Sequence, residues 1–237
     1  MTATLLAVQS LKAWYARAQI LFDVSLQVGR GEVVALMGRN GAGKSTTFKA
    51  VMGLMEHREG EVAFHSQNLR GLEPFQIARL GLGYVPEERR IFGELTVMEN
   101  LEVGRQPPRA GAPAWTPEKL FRVFPNLGEM PDRLGGRMSG GEQQMLTVAR
   151  TLMGNPLLVL LDEPSEGIAP RIVEDMANMI LELKKEGLSV LLSEQNLHFA
   201  NLVCDRAYVI EKGQVRYEGT MAELARNERV MKEYLSV

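Results

Sequence analysis

The chain has 237 residues, of which 45% are hydrophobic and 24% charged, and its 27 Lys and Arg against 29 Asp and Glu give a net charge of −2. This composition argues against a disordered chain, a collagen-like repeat or a disulfide scaffold, and the balanced charge argues against a general nucleic-acid coat. Cys204 is the single cysteine, so no internal disulfide can form and a reducing compartment is expected. Residues 1–5 show no secretory signal, and no apolar run approaches the roughly 20 residues of a membrane span.

The first part of the chain predicts strands, a glycine-rich turn and a helix. Short apolar and aromatic runs over 5–28 predict strands, and the β-branched run at 32–37 predicts a buried strand that ends at Gly38. A helix is predicted over 44–51, and Gly53 ends it. The next elements are a strand at 60–64, a short helix at 74–78 and a strand at 82–85.

Residues 88–153 change to helical patterns separated by loops rich in glycine and proline. Thr96 is a candidate helix cap. The predicted elements are helices at 96–104, 117–124 and 141–153, a loop at 106–114 and an irregular segment at 125–138. We therefore expect a single domain in which this helical subdomain is inserted into an α/β core formed by 1–87 and 154–237.

The α/β pattern resumes after residue 153. Met176 and Met179 lie at helical spacing within 172–183, which predicts core packing rather than a cofactor site. The remaining elements are strands at 157–161, 189–192, 207–211 and 214–217, a helix at 197–202, and two short helices over 221–235.

Residues 38–45, GRNGAGKS, match the phosphate-loop pattern G-x-x-x-x-G-K-[ST] in full. Glycines allow a tight turn whose N–H groups face phosphates, and the following helix presents its positive end. We expect Lys44 to reach the β- and γ-phosphates, the Ser45 hydroxyl to coordinate Mg²⁺ and Thr46 to donate to the α-phosphate. The predicted ATP-binding residues of this loop are Gly38, Arg39, Asn40, Gly41, Ala42, Gly43, Lys44, Ser45 and Thr46.

Two carboxylates follow the apolar strand predicted at 157–161. A buried parallel strand delivers its terminal side chains to the edge of the sheet where ligands bind. We expect Asp162 to hold Mg²⁺, directly or through water, and Glu163 to polarise the attacking water as general base.

The segment 138–146, MSGGEQQML, is similar to the L-S-G-G-x-Q signature of ABC transporter ATPases, with Met138 in place of leucine. The motifs occur in the expected order, and the chain resembles this family over about 5–237. A serine hydroxyl and glycine amides at a helix start also form a second anion site. The resemblance implies an α/β fold with a P-loop ATPase core, a parallel sheet, N-terminal antiparallel strands and an inserted helical subdomain.

The resemblance also implies an assembly. Two subunits pack head to tail, so that the signature of each covers the nucleotide bound to the other. Ser139, Gly140, Gly141 and Glu142 are therefore expected to act in trans. The dimer is either a homodimer or a heterodimer with a sister ATPase.

Within the family, the chain is most similar to the ATPases of branched-chain (hydrophobic) amino acid importers. The residues that carry this resemblance are 84–87, 89–92, 95–97, 99–101, 142–146, 162–165, Gly167, 169–170 and 194–196. It implies a cytoplasmic subunit, peripheral on the inner face of the cell membrane, that powers integral permease subunits fed by a substrate-binding protein. A cassette for urea or amide import, or for lipid export, is the alternative.

The chain departs from the common family pattern at several positions. Glu87 stands where most members have a glutamine that touches Mg²⁺ and the water, and Gln195 replaces a histidine that contacts the γ-phosphate. The resemblance implies catalytic roles for both, and a metal contact for Glu87, although a solvated acid is the alternative there. Tyr15 matches the aromatic residue that stacks on adenine. Ala169 replaces an aspartate at the dimer seam, and His198 is a substitute candidate for the histidine.

Other ATPase classes fit the sequence less well. DNA-repair and chromosome ATPases place long coiled coils between the two motifs, whereas Gly38 and Ser139 are about a hundred residues apart with no heptad run. Translation-type factors carry two cassettes in one chain, and a P-loop kinase would not need the signature segment. No His and Cys spacing indicates a zinc site.

Overall fold

The computed structural model describes residues 3–235, so Met1 and Thr2 of the expected N-terminal stretch, and the last two residues of the expected core, lie outside it. The strands are β1 Thr4–Tyr15, β2 Ala18–Gly29, β3 Val33–Met37, β4 His57–Phe64, β5 Gln67–Asn68, β6 Leu82–Val85, β7 Leu158–Asp162, β8 Ser189–Glu194, β9 Arg206–Glu211 and β10 Gln214–Thr220. The helices are α1 Lys44–Val51, α2 Pro74–Arg79, α3 Val97–Gly104, α4 Pro117–Val123, α5 Pro125–Gly128, α6 Gly140–Leu152, α7 Pro170–Lys185, α8 Leu197–Val203, α9 Met221–Arg226 and α10 Glu228–Val230.

The central sheet has six strands in the order β10-β9-β3-β8-β7-β6. The strands from β9 to β6 are parallel, and β10 is antiparallel to β9. Every residue of β3, β7 and β8 is buried, as is typical of parallel strands covered on both faces. The carboxyl ends of these strands meet at one edge, where Met37 pairs with Glu194 and Asp162 with Ser193.

A second, antiparallel sheet has the order β2-β1-β4-β5. Strands β1 and β2 form a long hairpin with several register shifts, which bend and twist the pair. Helix α1 packs between the two sheets, against β1 and β2 on one side and β7 and β8 on the other. This mixed architecture confirms the predicted fold class, a parallel α/β sheet with N-terminal antiparallel strands.

Two apolar cores lie on opposite faces of the central sheet. Successive residues of β3 point to opposite faces of the sheet and pack in the two cores alternately. Val34 and Leu36 pack in the core that contains α1 and the antiparallel sheet. Val33, Ala35 and Met37 face the core that contains α3, α6, α7 and α8. The central sheet therefore separates the phosphate-loop helix α1 from the helices of the chain's middle part.

Most predicted elements are confirmed, with differences at strand ends and in the middle of the chain. The predicted strand at 60–64 begins at His57, and the strand predicted at 214–217 continues to Thr220. The sequence predicts an irregular segment at 125–138, but the structure shows a short helix there, α5, because Pro125 fits the first turn of a helix. A 3₁₀ turn at Gly135–Arg137 follows it. Strand β5 was not predicted, since two exposed polar residues carry no alternation of apolar and polar side chains.

The predicted cap of α3 is present in the structure. The hydroxyl of Thr96 accepts from the N–H of Glu99 at 3.2 Å, and the Glu99 carboxylate accepts from the N–H of Thr96 at 2.8 Å, which confirms this cap.

Among residues 3–235, no helix combines the length and the apolar character that crossing a bilayer requires.

Asn155, which follows α6, fixes the proline-rich loop over 106–114. Its side-chain oxygen accepts from the N–H of Trp115 at 2.8 Å, and its amide donates to the carbonyls of Gln106 and Pro107 at 2.9 and 3.3 Å. The residue is buried and adopts a φ of 49°, which asparagine tolerates better than most residues. One side chain therefore satisfies three backbone groups of a segment that has no regular structure.

Replacing Asn155 with alanine should lower the free energy of unfolding by about 2 kcal/mol, because buried backbone groups lose their partners. Urea denaturation followed by circular dichroism measures this change. Asn201→Ala, in the exposed part of α8, is the control and should stay within about 0.5 kcal/mol of the unmodified chain. Equal unfolding free energies for the two variants would contradict the anchoring role.

Candidate functional site

The phosphate-loop pattern lies between β3 and α1, as the sequence predicts. Gly43 immediately precedes α1 with a φ of 111°, a conformation that side-chain-bearing residues avoid. A methyl group on Gly38 would lie 2.4 Å from the carbonyl oxygen of Ile210, so this position also requires glycine. The N–H of Gly213 donates to the carbonyl of Ala42 at 2.8 Å, so the turn between β9 and β10 braces the loop.

Lys44 is buried at the start of α1 with three partners. Its Nζ donates to the carbonyl oxygens of Gly38 at 2.6 Å and Arg39 at 3.1 Å, and it lies 2.8 Å from Oε1 of Glu163. The two charged side chains are 3% and 5% exposed. Removing one partner of a buried ion pair strongly destabilises the folded protein, because the remaining buried charge then has no opposite charge beside it. The phosphate loop and the acidic end of β7 are therefore joined by an electrostatic contact.

Glu163 follows β7 in a constrained conformation, with a φ of 48°. Its N–H lies 3.0 Å from Oγ and 3.2 Å from the carbonyl oxygen of Ser193, which hold the residue against β8. Burial raises the pKa of the Glu163 carboxyl, and the Lys44 ammonium opposes part of this rise. Its Oε2 atom is buried with no hydrogen-bond partner among residues 3–235. Glu163 therefore combines a raised carboxyl pKa with one carboxylate oxygen that has no hydrogen-bond partner in the described part of the chain.

Asp162 accepts hydrogen bonds from the hydroxyl groups of three residues, which lie on α1, β8 and β6. Its Oδ1 accepts from Ser45 Oγ at 3.0 Å and from Ser193 Oγ at 2.6 Å, and its Oδ2 accepts from Tyr84 Oη at 3.2 Å. Burial and the nearby Asp162 carboxylate raise the pKa of Tyr84 above its usual range, so this hydroxyl stays protonated and donates. Hydroxyl and carboxylate oxygens are the ligands that Mg²⁺ prefers, and Ser45 and Asp162 supply both kinds side by side.

A cavity of about 380 Å³ opens in front of the phosphate loop. It brings together three parts of the predicted site: Tyr15 at the end of β1, the loop itself, and the carboxylates Glu87 and Glu163. Its lining is Tyr15, Ile20, Asn40, Gly41, Gly43, Lys44, Ser45, Thr46, Glu87, Glu163 and Glu166. Tyr15 is 47% exposed, so its ring is accessible to a flat ligand.

Other predicted residues are not part of the cavity lining. Gln195 is exposed just after β8, and its N–H donates to Glu194 Oε2 at 3.1 Å. His198 is an exposed residue of α8, and Ala169 is exposed at the cap position of α7. The structure therefore places the Glu87 and Tyr15 side chains at the cavity but leaves the Gln195 side chain outside its lining.

The segment 139–142 lies on a different surface of the chain. Ser139 Oγ accepts from the N–H of Glu142 at 3.4 Å, and Glu142 Oε2 accepts from the N–H of Ser139 at 2.7 Å, a capping box that starts α6. The amides of Gly140 and Gly141 are not used by this box. Ser139 and Glu142 line a separate groove of about 870 Å³ between α4, α6 and α7.

Three residues of the site were not assigned a role from the sequence. Tyr84 and Ser193 hold Asp162, and Glu194 accepts from the N–H groups of Ser165 and Asn196 at 3.1 and 3.0 Å. Burial raises the pKa of Glu194, and these hydrogen bonds oppose the rise. These residues lie at or just after the ends of predicted strands β6 and β8, which is the position from which they could have been recognised. Recognising them also requires knowing that β6 and β8 are the neighbours of β7 in the sheet.

Comparison with known proteins gives a consistent family. The sequence matches the ABC transporter family over residues 21–166. It is 41% identical over 231 residues to the high-affinity branched-chain amino acid transport ATP-binding protein BraG of Pseudomonas aeruginosa, covering 98% of this chain and 99% of BraG. It is 36% identical over 236 residues to the lipopolysaccharide export system ATP-binding protein LptB of Escherichia coli, covering 98% and 97%.

Solved structures agree in fold as well as sequence. The ADP conformation of MJ1267, an ATP-binding cassette of an ABC transporter, superposes with a TM-score of 0.81 at 30% identity, covering 98% of this chain and 96% of that one. The chain belongs to the ABC transporter family of ATP-binding cassettes, and it is an ATPase of that type.

Proposed function

We propose that this ATPase powers an importer for branched-chain or other hydrophobic amino acids. The observation that carries this proposal is the 41% identity to BraG over nearly the whole of both chains. The 36% identity to LptB, over a similar span, favours lipopolysaccharide export as the second candidate. A urea or amide importer stays a further alternative within the import class.

In this proposal the cavity at the phosphate loop holds ATP. The adenine stacks on Tyr15, and the amides of 38–46 and the Lys44 ammonium surround the phosphates. The negative γ-phosphate competes with Glu163 for Lys44, so nucleotide binding frees the Glu163 carboxylate. That carboxylate then accepts a proton from the water that attacks the γ-phosphate.

Mg²⁺ fits the oxygens beside the loop. We infer that Ser45 and Asp162 hold it, with Glu87 as a further carboxylate at the cavity. When bound, the ion neutralises phosphate charge and polarises the γ-phosphoryl group. The carboxylate at position 87 adds negative charge near that group, and Gln195 supplies an amide donor rather than a proton-carrying imidazole.

We also propose that the site is completed by a second subunit, either an identical copy or a sister ATPase. Ser139, Gly140, Gly141 and Glu142 do not line the nucleotide cavity of their own chain. The start of α6 offers free amides and a positive helix end, which suit the γ-phosphate of a nucleotide bound elsewhere. A head-to-tail dimer supplies that nucleotide.

The proposed contact with the permease is a groove of about 530 Å³ beside α2 and α3. Exposed Phe75, Phe92 and Val103 line it, and the guanidinium carbons of Arg79 and Arg150 lie 5.5 and 4.9 Å from the centres of the Phe75 and Phe92 rings. This surface suits an apolar, acid-bearing segment of a membrane subunit. The part of the helical subdomain near 88–104 then passes motion between nucleotide and permease, with the cassette peripheral on the cytoplasmic side of the membrane.

Replacing Glu163 with glutamine should preserve ATP binding and lower turnover at least about a hundredfold, because the amide keeps the shape but accepts no proton. Phosphate release measures turnover, and gel filtration with ATP detects the trapped dimer. Lys44→Ala is the contrasting variant and should lose ATP binding, with thermal unfolding confirming that it is folded. Normal turnover of the glutamine variant would exclude Glu163 as base.

The solute class is tested with the ATPase purified together with its membrane subunits and reconstituted into liposomes. Radiolabelled leucine, presented with the co-purifying substrate-binding protein, should accumulate in an ATP-dependent manner and raise ATPase activity. ATPase activity that responds to lipopolysaccharide or urea but not to leucine would overturn the amino acid assignment. The Glu163→Gln assembly is the control for transport without hydrolysis.

Phe75→Asp should weaken coupling to the membrane subunits, because a charge replaces an exposed aromatic ring in the proposed groove. We expect unchanged ATPase activity of the isolated subunit and reduced solute-stimulated activity of the reconstituted assembly. Leu202→Asp, an exposed apolar residue of α8, is the matched control. Equal stimulation in both variants would place the permease contact elsewhere.

A further inference from the structure

The segment after Glu87 runs from the nucleotide cavity to α6 in a constrained conformation. Arg89 and Arg90 have φ values of 62° and 50°, two consecutive non-glycine residues in the left-handed region. Such residues are strained, and they persist where neighbouring groups hold them. The structure shows those groups, and both come from α6.

The backbone carbonyls of the two arginines accept hydrogen bonds from α6. Thr147 Oγ1 lies 2.7 Å from the carbonyl oxygen of Arg89 and 2.9 Å from that of Gln143, so its single O–H is shared between the two carbonyls, with the shorter distance to Arg89. Arg150 Nη2 lies 2.7 Å from the carbonyl oxygen of Arg90. Thr147 is buried, so water does not replace its hydroxyl when the contact is lost. The segment that carries Glu87 is thus held at points about two and three turns along the helix that Ser139 caps.

The Arg89 side chain contacts the signature itself. A methyl group on Gly140 would lie 2.5 Å from Arg89 Nη1, so the guanidinium packs on the backbone of this glycine. The same segment also bonds to the 3₁₀ turn before Ser139, where the N–H groups of Gly135 and Gly136 donate to the carbonyls of Leu95 and Gly93, both at 2.9 Å. The stretch that follows Glu87 therefore contacts the signature from its helix side and from its preceding turn.

We propose that Thr147 and Arg89 are positioning residues that tie the Glu87 segment to the signature at 139–141. We call these two contacts, from Thr147 to the Arg89 carbonyl and from the Arg89 side chain to Gly140, the clamp. The clamp links the Glu87 carboxylate at one nucleotide to the signature residues that act on the nucleotide of the neighbouring subunit. It rests on the proposed role of the signature in trans. Loosening it leaves ATP binding to the subunit's own phosphate loop intact and misplaces the signature, so hydrolysis in the dimer falls.

The test uses the full chain with Thr147→Val, which keeps the β-branched shape and removes the hydroxyl. We expect kcat for ATP hydrolysis to fall about tenfold, with the affinity for a fluorescent ATP analogue unchanged in dilute protein. Thr147→Ser should restore kcat. Thr151→Val is the matched control, because Thr151 also donates to the carbonyl four residues earlier on α6, at 2.9 Å, but does not reach the Arg89 carbonyl.

A second pair of variants keeps the inference testable if Thr147→Val unfolds. Arg89→Ala removes the contact with Gly140 and should also lower kcat with unchanged analogue binding. Arg90→Ala is its control, since the Arg90 side chain is exposed and adjacent in sequence. Thermal unfolding of all variants separates loss of kcat from loss of fold.

Equal kcat in Thr147→Val and Thr151→Val, or in Arg89→Ala and Arg90→Ala, would overturn the clamp. Ser139→Arg in the same series reports on the signature separately. If Ser139→Arg blocks hydrolysis while the clamp variants stay active, the clamp is wrong and the trans site stands. If Ser139→Arg is fully active, the proposed trans site fails, and the clamp inference fails with it.

Discussion

The buried ion pair between Lys44 and Glu163 is the contact on which the organisation of the site depends. The two residues follow β3 and β7, and β8 lies between these strands, so the pair forms across a third strand. Both charged side chains are buried at the wall of the cavity, and removal of either leaves a buried charge without its opposite charge. The pair therefore fixes the phosphate loop relative to the acidic strand end, and the cavity takes its shape from that arrangement.

The sequence predicted the parts of this site that are local in the chain. The loop at 38–45 and the two acids at the carboxyl end of β7 are continuous motifs whose conformation follows from glycine, a strand and a helix start. The partners of Asp162 could not be predicted in the same way, because Tyr84 and Ser193 reach it from neighbouring strands. Their proximity depends on the strand order of the sheet, which is set by long-range packing and not by the residues beside them in sequence.

The middle of the chain shows the same division between local and long-range information. The capping boxes of α3 and α6 involve residues three apart, and the cap at Thr96 was predicted from the sequence. The loop at 106–114 was also predicted, but its fixed conformation was not. Asn155 holds it from 40 to 49 residues away, and a single polar side chain gives no periodic signal. Polar anchors of this kind are visible only once the chain is folded.

Two surfaces suited to phosphate lie on opposite sides of one sheet. Helix α1, which carries the phosphate loop, packs in the core shared with the antiparallel sheet, whereas α6, which begins at the signature, packs in the other core. Bringing both to one nucleotide within a single chain would disrupt a packed layer of buried apolar side chains, which is energetically prohibitive. The proposed head-to-tail dimer, with an identical copy or a sister ATPase, avoids that cost. Strand β6 is the edge strand of the central sheet, and the segment that leaves it passes from the cavity to α6 around that edge. A change in conformation at the cavity can therefore reach the start of α6 through the backbone of this segment, without a rearrangement of either apolar core.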